Sequence, residues 1–513
     1  MSIKTNKFTE NLAKAFYNDF ANNDYYLFGS DYNNEYQSTN NNYSKNIILE
    51  KTIFGKKILD DEFSYMIRNN VWTNGTVYTQ YDDNTVDIRT YNFYVIVEPD
   101  TLEGGNYYVF KCLYNNNSSI STEKPSFNNS IYLDNGNYEL SDGYIWKHVS
   151  TIPNSIAKKF GTRGYLPVVR DQFIEQNAVD GIEVILVENI DNNVGYEKIS
   201  GNVLYTPTSG TITMTVNTQI QGVPSFYTGR SLYVEKGDGS PQIGARQYKI
   251  LDSGKDTSDQ FFVVVEGYDP NDFPIEIDDD CQILPYINIQ GDGSGAEGIA
   301  VFDVTETKII SVKILERGSG YKNAIATVID PISFTTETGN VRCELRPIIS
   351  PTNGHGANII EELRVSNVCF SAYIASGGTS TIPDTFTYSK VALVKNPIVT
   401  GLPNTFDNRI ELLMSNTTGL NAGDAVYQTN GVEGIIHEVL SDRIYIINYN
   451  GPYNVTFDEN LVLKTNNAGD FGINSINYSI YTQKSGDVLY MSDFSPIERK
   501  QTTIEQIKIL VDF

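Results

Sequence analysis

The chain has 513 residues, 40% hydrophobic and 12% aromatic, which is too long for one core and apolar enough to pack about three or four domains. Its 63 Asp plus Glu against 38 Lys plus Arg leave a net charge of −25, so phosphate backbones and anionic membranes are excluded as expected partners. Four scattered cysteines, Cys112, Cys281, Cys343 and Cys369, lack the spacing of a zinc site or a secreted disulfide framework and fit a reducing compartment.

Taken in chain order, Phe8, Leu12, Phe16 and Phe20 recur every four residues and predict an amphipathic helix ending near Asn22-Asn23. Residues 30–44, rich in Asn, Tyr and Ser, read as a loop. Leu59 to Ile67 reads as a second helix, with Asp60-Asp61-Glu62 placed to favour its dipole. From Val71 onward the chain is expected to be mainly strand and turn. Ile212, Met214 and Val216 alternate with threonines, Ile310, Val312 and Ile314 with Ser311 and Lys313, and turns such as Asp269-Pro270-Asn271-Asp272 punctuate such runs. That pattern predicts small antiparallel β domains in 171–350. Ala425-Val426-Tyr427, Gly434-Ile435-Ile436 and Ile444-Tyr445-Ile446-Ile447 predict a second inserted module, barrel-like, in 401–480. In the last strand, from Glu505, Ile507, Ile509 and Val511 point one way and Lys508, Leu510 and Asp512 the other.

The expected fold class is therefore mainly β, with an N-terminal α+β part and a discontinuous β-sandwich body carrying inserted small β domains. Residues 1–170 hold the α+β part and the first half of the body, 171–350 the first insertion, 351–400 body strands, 401–480 the barrel-like insertion, and 481–513 the closing strands. The N-terminus Met1-Ser2-Ile3-Lys4 has no apolar signal core, and the run Phe261–Val265 is strand length rather than a membrane span. A soluble protein made in the cytosol is expected.

Chemical motifs are sparse. Gly293-Ser294-Gly295-Ala296-Glu297-Gly298 has dinucleotide-loop spacing, but Ile299-Ala300-Val301-Phe302 after it is strand-like and two carboxylates would repel phosphate, so a flexible hairpin or loop is expected. Ser253-Gly254-Lys255 is followed by Asp256 and is no phosphate loop. Of three histidines, only His355, between two glycines, falls in an exposed-loop context that could suit chemistry. His148 is placed on the opposite sheet face from Lys147, and His437 in a strand. None has a nucleophile or second ligand at working spacing, so no catalytic residue, metal ligand or cofactor is expected. The acidic clusters Asp82-Asp83 and Asp278-Asp279-Asp280 read as solvated turns. Tyr144 and Trp146 share one strand face: Trp146 reads as core, while Tyr144 reads equally as core or as an anchor for a neighbouring subunit. Tyr490 and Phe513 are further candidates for interface or core anchors.

Two groups of segments carry a family resemblance. One is Asp142-Gly143-Tyr144-Ile145-Trp146-Lys147, leading through Ile152-Pro153 to Gly164-Tyr165-Leu166-Pro167-Val168. The other is Ser485-Gly486-Asp487-Val488-Leu489-Tyr490-Met491, then Ser495-Pro496-Ile497-Glu498-Arg499 and the terminal strand. With Gly75-Thr76-Val77-Tyr78, Phe93–Val97, Tyr107–Cys112 and Gly354-His355-Gly356 with Glu362-Leu363, their order resembles the outer baseplate wedge subunit of contractile-tailed phages. The resemblance covers roughly residues 8–170, 350–400 and 480–513. It implies a non-enzymatic virion protein, assembled in the bacterial host cytoplasm, that contacts other wedge subunits and a second copy of itself. A receptor- or glycan-binding tail adhesin is the alternative, although repeats and a fibrous C-terminus are lacking. A β-rich hydrolase of surface polymers rests only on the acidic clusters.

Overall fold

The computed structural model describes residues 6–31, 45, 48–85, 91–99, 104–127, 131–132, 137–216, 223–236, 245–332, 340–375, 381–383, 386–450, 456–466, 469–500 and 503–513. The protein is mainly β, with an N-terminal helix and strands. Two compact units are each built from separated stretches of chain: Ile67–Lys158 with Arg163–Val365, and Lys7–Met66 with Lys159–Thr162 and Ser366–Phe513. We call them the first and the second unit.

In the first unit, the strands Tyr94–Val97, Tyr107–Asn115, Tyr144–Ile152, Tyr138–Glu139 and Ile131–Tyr132 form a five-stranded sheet in that order. Asp142 sets its central turn. One carboxylate oxygen accepts from Thr122 N (2.8 Å) and Glu123 N (3.1 Å), and the other from Tyr144 N (3.1 Å). A six-stranded antiparallel sheet runs Ala324–Ile329, Tyr286–Gly291, Ser294–Phe302, Ile309–Ser319, Ile182–Val187, Leu345–Ile349. Between Ile182–Val187 and Tyr286–Gly291 the chain makes a closed six-stranded barrel from Ile199–Val203, Thr211–Val216, Phe261–Val265, Ala245–Lys255, Ser231–Glu235 and Asp280–Leu284. Ile212 and Met214 point into the barrel core with Ile199, Val263 and Ile283. The alternation read from sequence is thus the inside and outside of a barrel wall. The glycine run 293–298, expected as a flexible loop, instead opens the strand Ser294–Phe302.

In the second unit, the helix Asn6–Asn22 buries Ala13 and Phe20. Phe8 is 52% exposed, so the buried stripe is turned from the expected one. Phe16 sets its ring against Tyr25, Phe63, Phe370 and Phe513 at 5.4–6.4 Å, where edge and tilted contacts favour aromatic clusters. Around this cluster lie a sheet ordered Thr405–Asp407, Thr52–Lys57, Tyr25–Asp31, Phe386–Lys395, Asp487–Arg499, and a second in which Asn367–Ala375 pairs with Ile504–Asp512 and with Phe63–Met66. Rings from the two sheets meet where Tyr25 stacks on Phe370 at 6.2 Å. A seven-stranded sheet, from Asp470–Phe471 through Leu463–Thr465, Ala425–Tyr427, Glu433–Val439, Arg443–Asn450 and Ile410–Met414 to Ile473–Asn477, has its own core of Leu412, Val426, Ile444 and Leu463.

The second predicted helix does not form. Asp60–Glu62 make a single 3-10 turn, and Phe63–Arg68 are a strand. Phe63, Tyr65 and Ile67 are strand formers, and pairing with Asn367–Phe370 outweighs a helical first turn. Of the expected loop at 30–44, only Ser30 and Asp31 are among the described residues, and they end the strand Tyr25–Asp31. No helix among the described residues is long and apolar enough to cross a membrane.

Candidate functional site

The strongest concentration of chemistry lies inside the first unit and begins with a lysine in an apolar strand. Lys111 occupies Val109-Phe110-Lys111-Cys112, in register with Lys147 on the neighbouring strand. Two like charges placed opposite each other demand counter-ions. Lys111 has no exposed side-chain surface, and its Nζ lies 3.0 Å from Glu362 Oε1 and 3.4 Å from the Tyr81 ring centroid. Burial lowers the ammonium to about 8, so it stays cationic at neutral pH.

Glu362 ends the short helix Ile359–Glu362, capped where Asn358 accepts from Glu361 N. Burial alone would raise its carboxyl, but Lys111 and then His355 hold it down at about 2. Its Oε2 accepts from Gly356 N and its Oε1 meets His355 Nδ1, both at 2.5 Å. The short Nδ1 contact to a carboxylate assigns the imidazole proton to Nδ1 and leaves a lone pair on Nε2. Burial and the Lys111 charge push His355 down to about 3, so the ring is neutral.

His355 is 2% exposed, which corrects the exposed-loop expectation. The loop is buried because its glycines let it pack on backbone. Gly354 (φ +94°) leaves no room for a Cβ, which would stand 2.4 Å from Val179 O. A Cβ on Gly356 (φ +86°) would stand 2.2 Å from Ile174 Cγ2.

Beyond His355 the network continues. Its Nε2 faces Glu183 Oε1 at 3.6 Å, and that carboxylate is ion-paired with Arg317 from the strand Ile309–Ser319. Glu183 is fully buried, and Asn137 Nδ2 donates to its other oxygen at 3.5 Å. Burial lowers Arg317 to about 10, and burial with Arg317 repulsion lowers Lys147 to about 8. His355, Glu183, Arg317, Lys147 and Asn137 line the floor of a cleft of about 1260 Å³. Phe173, on the helix Gln172–Asn177, lines the same cleft and is 77% exposed.

Other sequence candidates fall elsewhere. Tyr144 and Trp146 are both fully buried and stack at 5.5 Å; the Tyr144 hydroxyl donates to Ser119 O at 2.5 Å and accepts from Tyr78 N at 3.3 Å. Tyr490, in the second unit, is 36% exposed on the strand Asp487–Arg499, and Phe513 is half-buried against Phe16. His148 packs on Phe110 and Phe127, and His437 lies 3.1 Å from the buried Arg409. The acidic clusters are structural rather than solvated. Asp82 pairs with Arg346, Asp83 Oδ1 accepts from Ile349 N at 3.2 Å, and the buried Asp279 accepts from Glu276 N at 2.8 Å. Among the described residues, no three acidic, histidine or cysteine side chains converge to hold a metal.

Sequence reasoning did not single out Lys111, Glu183 or Arg317. A lysine within a run of strand-forming apolar residues was the available signal for Lys111. Compared with known proteins, the chain matches no family model and no curated sequence.

Proposed function

We propose that this chain is a structural subunit of a contractile-tail baseplate wedge, which holds its place in the virion by protein–protein contacts with other wedge subunits and with a second copy of itself. Its work in this reading is mechanical, and neither a cofactor nor a catalytic group takes part.

The observation that carries the reading is the form of the C-terminal segment whose residues bear the resemblance. Asp487–Arg499 and Ile504–Asp512 are consecutive strands, yet they join different sheets, and each is the outermost strand of its sheet among the described residues. Arg499 Nε and Glu505 Oε2, 3.1 Å apart, tie the two where the chain turns between sheets. Leu489, Tyr490, Ile497 and Ile504 are 36–71% exposed on these strands. An unpaired edge that is both long and apolar invites a strand or side chains from another subunit. A subunit of a large assembly has use for such edges; a solitary protein carries them as an aggregation hazard.

Electron microscopy of the virion from the source phage tests the reading. The chain should fit density in the baseplate periphery, with neighbouring subunits against 487–499 and 504–512. Its absence from purified tails, by microscopy and by mass spectrometry, would reject it.

A further inference from the structure

The cleft of the first unit has a floor whose hydrogen-bonding groups are not all matched to one another. His355 Nε2 is buried, carries a lone pair, and has no donor within reach among the described residues. Glu183 Oε1, the nearest polar atom across from it, is itself an acceptor. Arg317 directs its terminal nitrogen to Glu183, while its Nε is buried and finds no acceptor among the described residues. An unmatched acceptor and an unmatched donor therefore stand on either side of one buried carboxylate, at the bottom of an open cleft. Leaving such groups unsatisfied is costly, and a site that presents them selects a ligand able to match both.

We propose that this cleft binds a neutral saccharide. The reasoning is by charge and by hydrogen-bond capacity. An ammonium group would meet Arg317 and Lys147, both cationic. A phosphate or carboxylate would meet Glu183. A hydroxyl both donates and accepts, so vicinal hydroxyls of a pyranose can donate to His355 Nε2 and accept from Arg317 Nε without adding charge. Glu362 fixes the tautomer that makes Nε2 an acceptor, so it is a positioning residue for the site. The wall supplies the other half of sugar recognition. Phe173 presents an aromatic ring, 77% exposed, to the apolar face of a sugar ring, and Tyr138 lines the same cleft. At about 1260 Å³, the cleft exceeds the usual volume of a small-ligand site and has room for more than one sugar ring. The inference is independent of the wedge proposal, since it rests on the first unit alone.

The test is titration of the full chain, by saturation-transfer NMR and calorimetry, with neutral di- and trisaccharides of glucose, galactose, mannose and N-acetylglucosamine. Trilysine and a glucuronate disaccharide serve as charged probes. At least one neutral sugar should bind with a dissociation constant of about 1 mM or tighter. Phe173→Ala, at a solvent-facing position, should weaken that binding by about tenfold with an unchanged melting temperature. Glu183→Gln should weaken it as well, by releasing Arg317. No binding across the neutral panel at about ten times that concentration would overturn the proposal, because the floor would then be matched by ordered water only. Tighter binding of a charged probe, or neutral-sugar binding indifferent to Phe173→Ala, would overturn it equally.

Discussion

Replacing Lys111 by methionine isolates the balance of charge on which the first unit is built. Methionine keeps most of the volume and length of the stem, so packing against Tyr81 is largely kept and the ammonium alone is lost. Glu362 would then remain with a side chain 1% exposed and its cationic partner at 3.0 Å removed. The Gly356 amide and the neutral His355 still donate to it, but neither carries charge. Breaking a buried pair from one side costs about 3–5 kcal/mol, against a total of roughly 5–15 kcal/mol for a typical domain. Both tryptophans, Trp72 and Trp146, belong to the first unit, so their fluorescence reports its unfolding separately from the second. With a urea slope of about 3 kcal/mol/M, the midpoint should fall by about 1–2 M. The double variant Lys111→Met with Glu362→Gln should regain more than half of that loss, since it removes the orphaned charge while keeping an acceptor for the Gly356 amide. A single-variant shift below about 0.3 M would refute the reasoning, as would a double variant no better than the single.

Acid should weaken the first unit from near neutrality downward. His355 titrates at about 3 when folded and 6.5 ordinarily, and Glu362 at about 2 rather than 4.5, so the unfolded chain takes up protons first as pH falls. The tryptophan-monitored urea midpoint should drop below pH 6.5, and His355→Gln should flatten the part of that decline between 6.5 and 4.5. Gly356→Ala adds a Cβ 2.2 Å from Ile174 Cγ2 at φ +86°, and should cost about 1–3 kcal/mol in the same assay; a neutral result would show that the loop can move away. Tyr144→Phe removes the hydroxyl bridging Ser119 O and Tyr78 N, and should cost about 1 kcal/mol by the same fluorescence. Deleting 504–513 removes every partner of Asn367–Ala375 on one side, together with the buried Ile509, and should give insoluble protein on size-exclusion chromatography; a monodisperse product would contradict it.

What sequence could convey depended on how local the cause was. The first helix and the barrel strand Thr211–Val216 declare themselves by period, because their neighbours along the chain decide which side is buried. The terminal strand was legible in the same way, and its partner Asn367–Ala375 lies among the residues expected to form body strands. Phe63–Arg68 was misread because the acidic turn before it mimics a helix start, while the strand it pairs with is some 300 residues away. His355 was misread for a similar reason. Flanking glycines usually mark solvent-exposed turns, and here they serve close approach to Val179 and Ile174. The candidate site draws on five separate strands and loops, from Lys111 to Glu362, so no window of sequence contains it. His355 and Glu362, quoted together within the family resemblance, come to 2.5 Å of each other.

The interleaving of the two units sets a timetable for synthesis. Strand Tyr25–Asp31 pairs on one side with Phe386–Lys395, and Phe63–Met66 with Asn367–Phe370. At about 5–20 residues per second, those partners leave the ribosome roughly 15–75 s after the strands that await them. Throughout that interval the first unit, whose segments all lie between Ile67 and Val365, can complete itself. The early aromatic cluster of Phe16, Phe20, Tyr25 and Phe63 has no such recourse, because Phe370, which it packs around, is not yet made. Nascent chains stalled before residue 366 should therefore hold a folded first unit together with a sticky N-terminal segment, a natural client for a ribosome-associated chaperone.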